Sequence, residues 1–196
     1  MSDDAATYAR KMKRASKILF YKRHRQPGVK GWELKRALGE DYSQVVDLLN
    51  RLLEDLGLQV KIVHETLDQP KDPTGEQLEK ARFYVTVKER LQISDLTMAG
   101  WRIDDVAVLA VTIAYIISKQ GKAHRKEVEQ VLAEKLPKWR FEHSLNRFIR
   151  MGYLSQDDVG AMYLDWRARA EIDQKALLKL ILGEQIVSER PNTIGD

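Results

Sequence analysis

The sequence predicts a mainly helical α+β chain made of two copies of one small module. Three observations carry this. A charge-free stretch, Val106 to Ile117, lies near the middle of the 196 residues, and its only polar groups are Thr112 and the Tyr115 hydroxyl. The same order of helices and short strands is read on either side of a connector. Apolar residues of the two halves also fall in register, with Leu38 matching Leu132, Val45 and Leu49 matching Phe141 and Leu145, Leu52 and Leu53 matching Phe148 and Ile149, and Gly57 matching Gly152. Spacings that recur at this length indicate a repeated structural unit.

Thr7 to Tyr21 reads as a helix, with Tyr8, Met12, Ala15 and Leu19 on one face at helical spacing. Gln26-Pro27-Gly28 is a turn signal, followed by an extended Val29 and a helix from Trp32 to Leu38 that Gly39 ends. Asp41 or Ser43 is placed to cap the next helix, running to Leu56 with an inward stripe of Val45, Leu48/Leu49, Leu52 and Leu53/Leu56. The alternation of residues 58–67 and 82–88 predicts two strands, and the prolines of 68–80 predict a loop between them. Helix, short strand, two helices and two strands is the order of a winged helix, a helix-turn-helix with an appended β-hairpin.

Residues 89–100 read as a connector. The apolar helix, residues 104–119, opens the second module, with Asp104 as N-cap, Asp105 in the first turn and Ile103 set to staple against Val108. Its apolar core of about 12 residues is short of the roughly 20 needed to span a bilayer, and a soluble helix this apolar is buried. Ala123 supplies the short strand. Residues 124–136 and 138–151 are the next two helices, the latter with Phe141, Leu145, Phe148 and Ile149 inward. Residues 153–156 and 161–166 are strands around a short turn. The domains are therefore expected at 1–90, 104–167 and 168–184, with a connector at 91–103, a C-terminal helix from Asp173 to Leu182 and a disordered tail over 185–196.

Charge is distributed unevenly. Residues 1–40 hold 11 Lys/Arg and 4 Asp/Glu, residues 41–90 hold 7 and 10, and residues 91–196 hold 15 of each, so the excess of positive charge sits in the first fifth of the chain. Such a patch suits an acidic protein, a membrane surface or nucleic acid, or is a solvated helix face. The absence of Cys excludes disulfides, Cys-ligated metal and a Cys nucleophile. The opening residues hold no apolar run, so no secretory signal is expected. The four histidines are scattered, with no HExxH spacing, glycine-rich phosphate loop or GxSxG elbow. No enzyme activity, cofactor or metal is expected.

In a helix-turn-helix protein the third helix enters the major groove. In the first module that helix turns Gln44, Asp47, Arg51, Glu54 and Asp55 outward, and its carboxylates would repel phosphates. In the second, Arg140, His143, Arg147 and Arg150 form a stripe headed by Lys138, the candidate duplex-DNA surface. The competing reading is a face making ordinary surface ion pairs. Lys22, Arg23 and Arg25 are a second candidate DNA contact. In the last helix Leu177, Leu180 and Ile181 either pack on the domain, the favoured reading, or mark a protein-partner surface.

Several stretches resemble a known group. Ile18-Leu19-Phe20, Pro27, GWELKRALG (31–39), LEDLGLQVKIVHE (53–65) and FYVTV (83–87) resemble the first half of the segregation and condensation protein B family. VLAVTIAYI (108–116), RKEVEQVL (125–132) and LNRFIRMGYLSQ (145–156) resemble its second half. GLQVKIVHE, the Lys119–Lys122 turn and YLDWR (163–167) are similar to the MAGE family. Both belong to the kite group, tandem winged-helix subunits of SMC complexes. The resemblance spans about residues 15–182 and rests on hydrophobic patterns. It implies a non-enzymatic adaptor, often a homo- or heterodimer, that binds a kleisin, meets an SMC ATPase and touches double-stranded DNA. It also implies a cytoplasmic, nucleoid-associated protein without a membrane partner. The alternative is a tandem winged-helix transcription regulator.

Overall fold

The computed structural model describes residues 2–21, 26–64, 72–89 and 93–181. The chain divides into two compact units, Met1–Trp101 and Arg102–Asp196.

In the first unit α1 (Ser2–Tyr21) is followed by β1 (Val29–Lys30), α2 (Gly31–Leu38), α3 (Tyr42–Glu54), β2 (Leu58–Val63), α4 (Gly75–Lys80), β3 (Arg82–Val87) and α5 (Ile93–Met98). The strands form one antiparallel sheet in the order β1-β3-β2, with Val29 opposite Phe83 and Val60 opposite Val85. The core contains Ala15 and Leu19 of α1, Leu34 and Leu38 of α2, and Tyr42, Val45, Val46, Leu49 and Leu53 of α3, over Phe83. Fully burying an aliphatic or aromatic side chain of this size contributes roughly 1.5–3 kcal/mol.

The inward face of α3 is turned from the expected one. Leu52 and Leu56 are exposed while Tyr42 and Val46 are buried. Leu52 lies off the line of Val45, Leu49 and Leu53, and Leu56 lies past the end of the helix. Asp41 stands at the N-cap position, but its carboxylate accepts from Lys11 Nζ at 2.5 and 2.6 Å rather than capping the helix.

Two segments expected to be irregular contain helix. Within 68–80, α4 is closed by a capping box in which Thr74 Oγ1 accepts from the Gln77 amide at 3.3 Å and Gln77 Oε1 accepts from the Thr74 amide at 2.9 Å. In the connector, α5 ends where Gly100, at φ +82, lets the Trp101 amide return to the Leu96 carbonyl at 2.9 Å. The strand expected over 58–67 ends at Val63.

The second unit repeats the order. α6 (Ile103–Ser118) leads to β4 (Lys122–His124), α7 (Arg125–Ala133), α8 (Lys138–Met151), β5 (Leu154–Gln156) and β6 (Ala161–Leu164), then α9 (Trp166–Glu171) and α10 (Gln174–Ile181). Its sheet order, β4-β6-β5, is that of the first unit. The correspondence reaches single hydrogen bonds. The first amide of α2, Gly31, donates to the Ala81 carbonyl, and the first amide of α7, Arg125, donates to the Gly160 carbonyl, both at 2.9 Å. The acceptor in each case directly precedes the last strand of its sheet. Glu33 and Glu127 occupy the same position of a capping box, reaching back to the amides of Lys30 at 3.2 Å and His124 at 2.9 Å. The units are winged-helix-like, and α4 in the connection between β2 and β3 distinguishes the first.

Within its unit α6 packs against α7, α8, β4, β6 and α10. It buries Asp105, Val108, Leu109, Thr112, Ile113 and Ile116, while Ile103 and Val111 are exposed. The helix is thus buried along one side rather than all round, and Ile103 makes no staple. Its N-cap is Arg102, not Asp104, so both aspartates fall in the first turn. Thr112 Oγ1 satisfies itself on the Val108 carbonyl at 2.7 Å. No helix among the described residues is long and apolar enough to cross a membrane.

Candidate nucleic-acid interface

Helix α8 forms because four apolar residues recur at helical spacing, Phe141, Leu145 and Phe148 being buried and Ile149 half-buried, and Gly152 at φ +81 ends it. Opposite the buried side stand Trp139, His143, Asn146 and Arg150, all exposed. Arg140 and Arg147 lie on the flank that meets α6.

There the first-turn aspartates take them up. Arg140 pairs with Asp104. Arg147 Nη1 donates to Asp105 Oδ2 at 3.0 Å, and Ser144 Oγ donates to Asp105 Oδ1 at 2.6 Å. The Asp105 side chain is 8% exposed and that of Arg147 32%. The carboxylate is therefore satisfied by one hydroxyl and one guanidinium, both from α8. Lys138 faces Glu142 at 3.6 Å, one turn on. Of the five residues of the sequence-derived stripe, two arginines bind α6 to α8, and His143, Arg150 and the loosely paired Lys138 face solvent. Periodicity could not show this, because the acceptors lie about forty positions upstream.

Trp139 is the residue that the sequence reading missed. It is 68% exposed at the head of the outward face, with the Arg140 guanidinium 5.6 Å from its ring centre. An exposed aromatic beside an arginine is a common anchor of protein interfaces. Its signal was the position itself, two residues before Phe141 and so off the apolar stripe.

The hairpin beside α8 is not built for phosphate. Asp157 accepts from the Ala161 amide at 2.7 Å and from the Tyr163 hydroxyl at 2.9 Å. The Ala161 amide, first, then the Tyr163 hydroxyl hold its carboxyl below the usual range. A hydrogen bond with Tyr163 in turn holds the Lys122 ammonium above its ordinary value. His124 Nδ1 accepts from the Lys126 amide at 3.2 Å, so Nε2 carries the proton and donates to the Val159 carbonyl at 3.1 Å. Arg125 ties the helices to the sheet through Glu129 at 2.7 Å and Asn146 and Gln156 at 3.0 Å.

The corresponding face of the first unit carries Gln44, Asp47, Arg51 and Glu54 outward on α3 and Asp55 just past its end, as the sequence predicts. Next to it α4 lies on α2, with Lys35 Nζ 3.0 Å from Glu79 and Lys30 Nζ donating to the Lys80 carbonyl at 2.9 Å. Glu40 and then Glu79 raise the Lys35 ammonium above its ordinary range.

Lys22, Arg23 and Arg25 lie outside the described residues. Leu177 is half-buried on α10, which packs on α6, and the side chains of Leu180 and Ile181 are outside the described set. Among the described residues no group of three or more His, Asp or Glu is placed to hold a metal ion.

No family model and no curated protein matches the sequence. Among solved structures the chain is similar to a chain of the Nse1-Nse3-Nse4 complex, at a TM-score of 0.64 and 15% identity over 91% of this chain and 90% of that one. The two chains share a fold. The kite-type, MAGE-like resemblance drawn from the sequence therefore holds at the level of the fold, across both units. Nothing in that likeness transfers a binding residue.

Proposed function

We propose that this chain is a non-enzymatic adaptor subunit of an SMC chromosome-organising complex, one that binds a kleisin segment, connects it to an SMC ATPase and contributes contacts to duplex DNA at the chromosome. The observation that carries the reading is the fold shared over nine-tenths of the chain with a chain of the Nse1-Nse3-Nse4 complex. The state of α8 supports it over a sequence-reading regulator. A helix whose two central arginines are held by Asp104 and Asp105 has few groups left for base edges. The first unit, with Asp47 and Glu54 outward on α3 and Asp55 just past its end, is suited to protein contacts.

The test is direct. The chain is mixed with the kleisin encoded in the same genome and run on a sizing column. Co-elution as a stoichiometric complex supports the reading. Separate elution, together with a duplex preference in which each wrong base pair costs about 1–3 kcal/mol, would favour the regulator instead.

A further inference from the structure

We infer that the outward face of α1, carrying Arg10, Lys13, Arg14 and Lys17, is the surface that receives the phosphate backbone of a duplex. This rests on the reading that the chain contributes DNA contacts, and moves those contacts from α8 to the first unit.

The placement follows from the helix. Ala15 and Leu19 are buried, Tyr8 and Met12 pack beside them, and the four cations stand on the opposite side, all exposed. At 1.5 Å per residue the stripe runs about 10 Å. Many other cations of this protein have a carboxylate: Lys11 has Asp41, Lys35 has Glu40 and Glu79, Lys80 has Glu76, Lys88 has Glu54, and the second unit pairs Arg125, Lys138, Arg140, Arg147 and Arg167. Arg10, Lys13, Arg14 and Lys17 make no ion pair with any described residue. Arg10 donates to Thr7 Oγ1 at 3.1 Å. No Asp or Glu occurs from Ala5 to Trp32, so α1 offers them no carboxylate one turn away.

The chemistry of the face narrows its partner. A duplex presents one negative charge per about 1.7 Å of axis, and unpaired lysines and arginines gain by releasing its condensed counterions. Cations already paired with carboxylates gain less, which is the contrast with Arg140 and Arg147. A bilayer is a poorer fit. The only large apolar side chains on this face are Phe20 and Tyr21, 47% and 82% exposed, confined to its last turn, whereas insertion needs an apolar strip along the helix.

The experiment uses the full chain and a fluorescent duplex of unselected sequence, with affinity followed against salt. One variant carries Arg10→Gln, Lys13→Gln, Arg14→Gln and Lys17→Gln, exposed changes to a good helix former that leave the far-UV spectrum unchanged. A second carries Lys138→Gln and Arg150→Gln. The expected result is a loss of roughly 100-fold or more at about 50 mM salt for the first, with its salt slope reduced by roughly 3–4, and little change for the second. Loss in the α8 variant alone overturns the placement while leaving DNA binding intact. No duplex binding by the wild type overturns both the placement and the DNA part of the proposed function, whereas kleisin co-elution judges the adaptor part separately. Binding of phosphatidylserine vesicles or polyglutamate through the same four residues, as tightly as duplex, overturns DNA as the partner.

Discussion

Arg147 is placed to test whether the α8 arginines hold the second unit together. Replacing it by Met keeps the length of the stem, and so much of its packing, but removes the guanidinium. Asp105 would then keep the Ser144 hydroxyl at 2.6 Å and lose the cation at 3.0 Å, with its side chain only 8% exposed. Removing one partner of a buried pair costs about 3–5 kcal/mol. The Arg147 side chain is 32% exposed, so water reaches the vacated side and offsets part of this. The expected loss for Arg147→Met is about 2–3 kcal/mol, read as the urea midpoint of unfolding. Arg150→Met, on the exposed face of the same helix, serves as control and should stay within about 0.5 kcal/mol. Equal stability of the two variants, with duplex affinity falling only for Arg147→Met, would refute the reasoning and return Arg147 to the DNA surface.

Other consequences follow from single contacts. Asn50 Oδ1 accepts from the Val60 amide at 2.7 Å on the outer side of β2, an edge strand, so Asn50→Ala should cost about 1–3 kcal/mol and speed hydrogen exchange at that amide. An added Cβ at Gly31 would stand 2.0 Å from the Leu78 carbonyl oxygen, so Gly31→Ala should displace α4 and make the Lys80 bond an early tryptic site. The Lys11 ammonium beside Asp41 holds that carboxyl below its ordinary range. A depressed folded value stabilises the fold above the unfolded value of about 3.9, and the contribution is lost as pH falls through the folded value. Lys11→Met should therefore flatten the acid limb of a stability-against-pH curve, and an unchanged limb would show that the pair contributes nothing.

The repeated order of elements was legible because each module writes it in local signals, such as apolar spacing, Gly39, Gly57 and Gly152 at helix or turn ends, and alternating strands. Three helices were missed: α9, six residues whose start at Trp166 was read as the end of a strand, and two others for different reasons. For α4, the prolines of residues 68–80 outweighed a capping-box signature, Thr74 to Gln77, that was present in the sequence. For α5, only six residues formed a helix too short to show a period. The site was less legible than the fold. Arg140 and Arg147 satisfy every local criterion for a basic stripe, and only the docking of α6 on α8 brings Asp104 and Asp105 to them. The α1 stripe was visible as a charge imbalance, but its significance depends on which cations lack carboxylates, a property of the folded unit.

The most direct test of the adaptor reading is recovery of the tagged chain from its own organism at moderate salt after nuclease treatment, with mass spectrometry of what accompanies it. The account predicts an SMC ATPase and a kleisin in the recovered complex. Recovery of neither, with the chain found instead at discrete genomic sites, would contradict it.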